Sequence, residues 1–400
     1  MKPGWKENTL EDLVTIVGGG TPSKRNDKFW NGDIPWVSPK DMKSEIINDS
    51  INHITSDAIG KSSAKLIDPG AVLIVVRSGI LARKIPVGVT TRSTTVNQDI
   101  KALIPNQKIL PEFLLKLMQA SEKYLLEKVS KGATVHRLQT DSIKGLKVFL
   151  PPLEEQRRIV DVLDKAFVAL SRALSNTEFN LSKIDNLLRS TLDKLVLEGS
   201  SNVSTRKLKN VTLRLTNGYV GPTRNIYQKD GVPYLLARHV KDNVLTFDGR
   251  TFVTEDFNDK NKKSKLKTDD VVLVQSGHIG HCAVVDKRHE GHNCHAMIVL
   301  STDKNILSGE YLATVFATGN FKQKFQNIRT GSTVPHLTCK MVKELDIPIV
   351  SREEQLKISK QFSQLKNATN DLRESYIEKI ENLSDLRGAL LKRAFDGELT

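Results

Sequence analysis

Residues 151–163 read PPLEEQRRIVDVL, and residues 350–362 read VSREEQLKISKQF. Each places a Glu-Glu pair where a helix begins, and negative charge in a first turn complements the exposed backbone N–H groups and the helix dipole. After the first start, Ile159, Leu163, Ala166, Leu170, Ala173, Thr177, Leu181, Ile184, Leu188 and Leu195 keep to a three-four spacing. After the second, Ile358, Phe362, Leu365, Thr369, Leu372, Tyr376, Ile380, Leu383, Leu386 and Leu390 do the same. Both stretches read as long helices with an apolar seam. A helix of about 40 residues is about 60 Å long, and such a seam cannot bury itself on one domain throughout. Two of them in one chain are expected to pack on each other, antiparallel because a compact domain separates them. The residues expected at that contact are Ile159, Leu163, Leu170, Ile184, Leu188, Leu195, Ile358, Phe362, Leu365, Leu372, Leu383 and Leu390. In the alternative, each helix folds back on its own domain as ordinary core.

The repeated helix start belongs to a longer duplication. NGDIPWVSPKDM (31–42) aligns with KDGVPYLLARHVKDN (229–243), and DPGAVLIVVRSGILARKIPVGVT (68–90) with TDDVVLVQSGHIGHCAVVD (268–286). VNQDIKALIPNQKILPEFL (96–114) aligns with HNCHAMIVLSTDKNILSGEYL (292–312), and LLRSTLDKLVLEG (187–199) with DLRGALLKRAFDG (385–397). The offset stays close to 198 residues, so one unit is written twice. Short β-branched runs between Gly, Pro, Asn and Asp turns, with one helical segment near 111–129 or 309–327, read as a compact α/β domain. The expected fold is an α/β (α+β) tandem duplication: globular domains at 1–150 and 201–348, joined by two long antiparallel coiled-coil helices within 151–200 and 349–400.

The chain has 60 Lys+Arg against 46 Asp+Glu, a net charge of +14. The excess is spread evenly, 29 basic to 23 acidic in residues 1–200 and 31 to 23 in the rest. That pattern suggests a polyanion lying across the molecule, nucleic acid ahead of an acidic protein or a membrane surface. Only Cys282, Cys294 and Cys339 are present, all in the second half. No disulfide framework spans both halves, and a reducing cytoplasm is expected. The N-terminus MKPGWKENTLEDL lacks the apolar core of a signal peptide, and the longest apolar run, GAVLIVV (70–76), has the length of a strand. No membrane partner is expected.

A search for catalytic chemistry returns fragments. AIGKSS (58–63) resembles the end of a phosphate-binding loop, but the first glycine of that motif would fall at Thr55. GGGTP (18–22) lacks the spacing of a nucleotide loop; with its counterpart NGYVGPT (217–223), it reads as a strained loop approaching another backbone. His278, His281, Cys282, His292, Cys294 and His295 could hold zinc. The first half carries Asn97, Gln98 and Asp99 against Asn293, Cys294 and His295, so the scaffold forms without such ligands. The preferred reading is a polar face of the second domain, with no metal bound. No nucleophile-base set or acidic metal cluster is evident, and the chain is expected to be non-catalytic.

What recurs is polar and basic. TPSKRNDK (21–28) lies over PTRNIYQK (222–229), VRSGILARK (76–84) over VQSGHIGH (274–281), and ATVHR (133–137) over STVPH (332–336). Arg and Lys bind phosphates or guanine, Gln and Asn read adenine, and hydroxyls serve either. The candidate DNA contacts are Thr21, Ser23, Lys24, Arg25, Lys40, Arg77, Ser78, Arg83, Lys84, His136 and Arg137 in the first half. In the second they are Thr223, Arg224, Arg238, His239, Lys241, Gln275, Ser276, His278, His281 and His336. A solvated loop is the plain alternative for any one of them. The copies differ here, Arg77 facing Gln275 and Arg83 facing His281, as two readers of unlike sequences would.

GATVHRLQTDSIKGLKVFLPPLEEQRRIVDVLD (132–164), repeated as GSTVPHLTCKMVKELDIPIVSREEQLKISKQF (331–362), resembles the paired signature of the DNA specificity subunit of type I restriction-modification systems. The second copy departs by Val350-Ser351 in place of Pro151-Pro152. The resemblance implies two target-recognition domains alternating with two conserved helical spacers, and a bipartite double-stranded DNA target with a non-specific gap. It also implies two modification subunits docked on the helices and restriction subunits outside them. No cofactor is then expected on this chain; S-adenosylmethionine, ATP and magnesium belong to the partner subunits. Two other classes are a scaffold that binds only proteins and a stand-alone DNA-modifying enzyme.

Overall fold

The computed structural model describes residues 3–197, 203–241, 243–331 and 335–399. Residues 198–199, 242 and 332–334, which fall within stretches aligned above, lie outside the described residues. The chain forms two compact units, one of Met1–Thr177 with Glu378–Thr400 and the other of Glu178–Ile377. Among the described residues no helix is long and apolar enough to cross a membrane.

The duplication is visible strand by strand. In the first unit Val14–Gly18, Ile100–Pro105, Val72–Val75 and Val87–Thr90 lie side by side in that order, with Ile46–Ile47 at the edge. In the second, Thr212–Asn217, Met297–Thr302, Val271–Val274 and Cys282–Val284 repeat the order. The fully buried runs VLIV and VVLV form the middle of each sheet. Parallel pairing of Trp36–Val37 with Thr95–Val96 recurs as Tyr234–Leu235 with Asn293–Cys294. The helical segment expected near 111–129 is two helices, Pro111–Ala120 and Glu122–Glu127, and its counterpart is Gly309–Ala317 and Gly319–Ile328. Thr318 separates the latter pair with extended backbone while its hydroxyl caps the next helix.

The long helices run from Leu153 to Leu197 and from Arg352 to Phe395. A two-stranded ladder in each unit delivers the chain to them, Lys6–Thr9 on Lys147–Leu150 and Ser204–Lys207 on Asp346–Ile349. The second helix opens with a capping box. The Glu354 backbone N–H donates to Ser351 Oγ at 3.2 Å, and the Ser351 backbone N–H returns a bond to Glu354 Oε2 at 3.2 Å. The first helix starts after Pro152, which has no N–H to offer, so this half of the box cannot form there.

Common to both starts is the glutamine. Gln156 is fully buried, and its Nε2 donates to the carbonyls of Lys108 at 2.9 Å and Pro151 at 3.0 Å while its Oε1 accepts from the Leu110 N–H at 2.9 Å. Gln355, also fully buried, repeats the set with Ile306 at 2.7 Å, Val350 at 3.0 Å and the Ser308 N–H at 2.9 Å. Leu110 and Ser308 are the N-caps of Pro111–Ala120 and Gly309–Ala317. Each long helix is therefore latched through one amide to the helix packed beside the sheet of its own unit.

Within each unit the two long helices pack antiparallel. In the first, Ile159, Val160, Leu163 and Phe167 share a core with Leu391 and Ala394, and the Arg387 guanidinium lies 4.5 Å from the Phe167 ring centre. In the second, Leu192 and Val196 share a core with Ile358 and Phe362, and Arg373 pairs with Asp185 at 2.7 Å. This excludes the alternative in which each helix packs only on its own preceding domain, since the end of the first helix lies in the core of the second unit.

Of the expected contact residues, Ile159, Leu163, Ile184, Ile358 and Phe362 are buried, and Leu170, Leu188, Leu195, Leu365, Leu383 and Leu390 are half-buried. Leu372 is a correction: it is 41% exposed, on the turn beside buried Thr369. Leu386 of the seam is exposed as well, while Phe167, Leu192, Val196, Leu391 and Ala394 are buried without having been singled out.

The first unit holds its helices with a charged clamp as well. Lys116, 5% exposed, pairs with Glu45 at 3.1 Å and Asp164 at 3.0 Å, and Arg387 bonds the same Glu45. Burial pulls the Glu45 carboxyl up, but Lys116 and Arg387 outweigh it and hold the group below its ordinary range.

Replacing the latch orphans two carbonyls and one N–H, of which the carbonyl before each helix start is buried. Gln355→Leu is expected to destabilise the second unit by about 1–3 kcal/mol per group left unpaired. Urea denaturation, with hydrogen exchange at the Ser308 N–H, measures the loss.

Candidate nucleic-acid interface

The glycine loops make close backbone approaches. A Cβ at Gly19 would lie 2.1 Å from the Val96 carbonyl oxygen, and one at Gly218 would lie 2.5 Å from that of Cys294. The Gly20 N–H donates to Val96 O at 2.9 Å, as Tyr219 N–H does to Cys294 O at 2.8 Å. These loops are pinned to the parallel strand pair of their unit, which fixes where the polar residues after them emerge.

In the first unit Thr21 Oγ1 bonds Gln98 Oε1 at 2.5 Å. The next residue, Asp99, lies 3.7 Å from Arg77 Nε. Arg77–Ser78 then pairs antiparallel with His136–Leu138, setting His136 opposite Ser78 and Arg137 opposite Arg77. The separate stretches TPSKRNDK, VRSGILARK and ATVHR are thus joined, Thr21 through Gln98 and Asp99 to Arg77, with Arg77 and Arg137 on one face of the ladder and Ser78 and His136 on the other. Both arginines are exposed. Like charges directly opposite on a ladder weaken it; Asp99 offsets Arg77 here, and Arg137 forms no ion pair among the described residues.

The second unit has the same scaffold with other side chains. Bridges join Ser276 to His336 and Thr330 to His336, and the Leu337 N–H donates to the Gln275 carbonyl at 2.8 Å. Gln275 stands where the first unit has Arg77, and in the aligned stretches His336 stands where it has Arg137, while Leu337 is buried in the core as Leu138 is. His278 and His281 stack with ring centres 5.4 Å apart. Thr223 and Arg224 lie in the loop after Gly221, with Arg224 exposed.

Other candidates lie elsewhere. Ser23, Lys24, Arg25, Lys40, Arg83 and Lys241 are exposed loop or edge residues. Lys84 lines a groove with Lys123, Arg387 and Lys392, against the second long helix. His239 is a correction. It is 2% exposed, its Nδ1 accepts from the Leu236 N–H at 3.0 Å and its Nε2 lies 2.9 Å from Asp248. Burial lowers its pKa against the opposing pull of Asp248, and no DNA edge can reach it. Arg238 is engaged with Asp248 at 2.9 Å and Thr251 at 2.5 Å, bracing the same turn.

The His/Cys group does not form one polar face. Cys282 belongs to one core with Phe316 and Phe325, whereas Cys294 belongs to another with Leu235 and Met297. Burial pushes these thiols up to about 11 and about 12. Among the described residues no three or more His, Cys, Asp or Glu side chains are grouped to hold a metal ion.

Comparison with known proteins gives the same partition of the chain. The family model for the type I restriction modification DNA specificity domain matches residues 2–177 and again residues 200–382. The chain belongs to this specificity family. The specificity subunit of type I restriction enzyme EcoR124I/EcoR124II from Escherichia coli is 39% identical over 163 residues, 40% of this chain and 40% of that protein. The MjaIX specificity subunit from Methanocaldococcus jannaschii is 25% identical over 295 residues, 68% of this chain and 66% of the relative. The matches thus span less than two thirds of these relatives' lengths. Among solved structures, a chain from a study of assembly and conformational transition in the type I R-M system superposes with a TM-score of 0.75 at 17% identity, over 100% of this chain and 99% of the other. The HsdS subunit of Thermoanaerobacter tengcongensis gives 0.67, also at 17% identity, over 100% and 98%. These likenesses establish the specificity-subunit fold.

The opposed arginines generate a test in which stability and binding move apart. Arg137→Thr is expected to raise the melting stability of the specificity chain by a few tenths of a kcal/mol, up to about 1. Its affinity for duplex DNA should fall in parallel assays.

Proposed function

We propose that this chain is the DNA-recognition subunit of a type I restriction-modification complex, reading a bipartite target with one domain per half-site. One observation carries the reading: the same order of four strands and the same glutamine latch support unlike polar residues in the aligned loops, Arg77 and Arg137 in one unit, Gln275 and His336 in the other. A duplicated scaffold with divergent side chains where bases would be met suits two different half-sites. The net charge of +14 favours phosphate binding. On this reading residues 1–150 and 201–348 are the target-recognition domains, and residues 151–200 and 349–400 the spacers.

Methylation and cleavage belong to partners in this proposal. Two modification subunits dock on the long helices, restriction subunits join outside them, and S-adenosylmethionine, ATP and magnesium are bound by those subunits in the cytoplasm. Exposed apolar residues along the helices support such docking, among them Val168, Phe179 and Leu187 on the first and Leu356, Ile377 and Leu386 on the second.

Mapping methylated adenines genome-wide, in a host carrying the partner genes with and without this chain, tests the reading. A split motif appearing only with the chain is expected. Arg77→Ala and Arg224→Ala should relax opposite halves of it, by about 1–3 kcal/mol each if the contacts are bidentate to guanine. Equal loss on all sequences would make them phosphate contacts.

The helices are proposed to set the gap. Removing about seven facing residues from each would shorten a helical strut by about 10 Å, near three base pairs of duplex. The same mapping should return unchanged half-sites at a reduced gap; an unaltered gap would refute the spacer.

A further inference from the structure

We infer that the loop Asn261–Lys265 of the second unit is a preorganised cationic platform for the phosphate backbone of duplex DNA, an inference that rests on the DNA-recognition reading above and adds a contact outside the recurring loops. The stretch DKNKKSKLK (259–267) holds five lysines. Lys260 is paired with Asp256 and Lys265 with Asp259, each at 2.6 Å. Lys262 and Lys263 are exposed and form no ion pair among the described residues.

The backbone between them is held from inside. The Arg214 guanidinium donates to the carbonyls of Lys263 at 3.2 Å and Lys265 at 2.9 Å, and is itself fixed by the Asp270 carboxylate and by Ser301 Oγ at 3.0 Å. Ser264 is buried, its hydroxyl 2.5 Å from Asn293 Oδ1. Carbonyls and one side chain turned inward leave the neighbouring lysines to project outward, so little loop entropy remains to be lost on binding.

This brace is peculiar to the second unit. Arg214 stands opposite Ser301 on the ladder where the first unit has Thr15 opposite Ile104, and Asp270 precedes its strand where Ala71 does. The same sheet forms without these charges in the first unit, so the fold does not require them. What they support is the lysine loop, and the corresponding stretch GKSSAKLID (60–68) has only two lysines.

Position gives the second argument. Asn261–Ser264 borders Thr216 and Asn217, which lead into the NGYVGPT loop. Asn217 Oδ1 accepts from Cys339 Sγ at 3.0 Å, three residues after His336, which bridges Ser276. The platform therefore adjoins the loop cluster assigned to base reading, where a duplex seated on that cluster would carry its backbone.

The test compares the full chain and its Lys262→Ala/Lys263→Ala variant on two duplexes of equal length, one with the mapped target and one scrambled, across a salt series. The variant should lose affinity for both by the same factor, on the order of 30-fold near 0.15 M salt. The slope of log affinity against log salt should become shallower by about 2, with the ratio between duplexes unchanged. Lys262→Arg/Lys263→Arg should keep the original slope. An unchanged slope in the alanine variant overturns the inference, as does a loss confined to the target duplex. If the unaltered chain prefers neither duplex, the sequence-reading proposal fails while a slope change still upholds the platform; if it binds no duplex, both fall.

Discussion

A single buried amide, used once in each half of the chain, sets the geometry on which the rest depends. Gln156 and Gln355 each satisfy two carbonyls and one N–H from three separate residues. In so doing they fix the angle at which a helix of 45 or 44 residues leaves its domain. A small angular error at a helix start grows with length, so a long element needs a directional contact at its root. Apolar packing would hold the helix down without specifying its azimuth, whereas three hydrogen bonds from one planar group do both.

Above that anchor the sheet and the loops divide the labour. The buried VLIV and VVLV strands and the glycine contacts at Gly19 and Gly218 are alike in both units and place the loops. The loops then differ in the residues that matter for recognition. This separation lets side chains such as Arg77 and Gln275 change without disturbing the support beneath them. The Arg214 brace shows the converse: a charge cluster added to one unit, on a sheet that forms without it in the other.

Much of this organisation was legible in the sequence because duplication doubles every signal. The two long helices and their antiparallel pairing follow from aligned patterns, whereas the pairing of VRSGILARK with ATVHR, which joins strands far apart in the chain, does not. The rest depended on partners distant in the chain. Nothing local distinguishes Gln156 from a solvated residue, since its partners at Lys108 and Leu110 lie in another element. His239 resembled a base-reading histidine until Asp248 and the Leu236 N–H claimed its ring. Phe167, Leu192 and Leu391 are buried off the single three-four seam of their helices. Near its ends a helix faces both its partner and a domain, and the buried arc widens; in between it faces the partner alone, and Leu372 remains in water. The lysine run at 260–267 has no equal in the first half, where GKSSAKLID carries two lysines, so duplication lends it no signal.

The first unit is discontinuous, and this has a consequence for biosynthesis. Its core includes Leu391 and Ala394, with Phe395 against Phe113 at 5.1 Å, so the domain made first on the ribosome stays unfinished until the whole of the second has been translated. A premature stop that removes only the last two turns of the chain would therefore injure the domain at the opposite end of the gene, leaving nascent apolar surface exposed to chaperones and proteases.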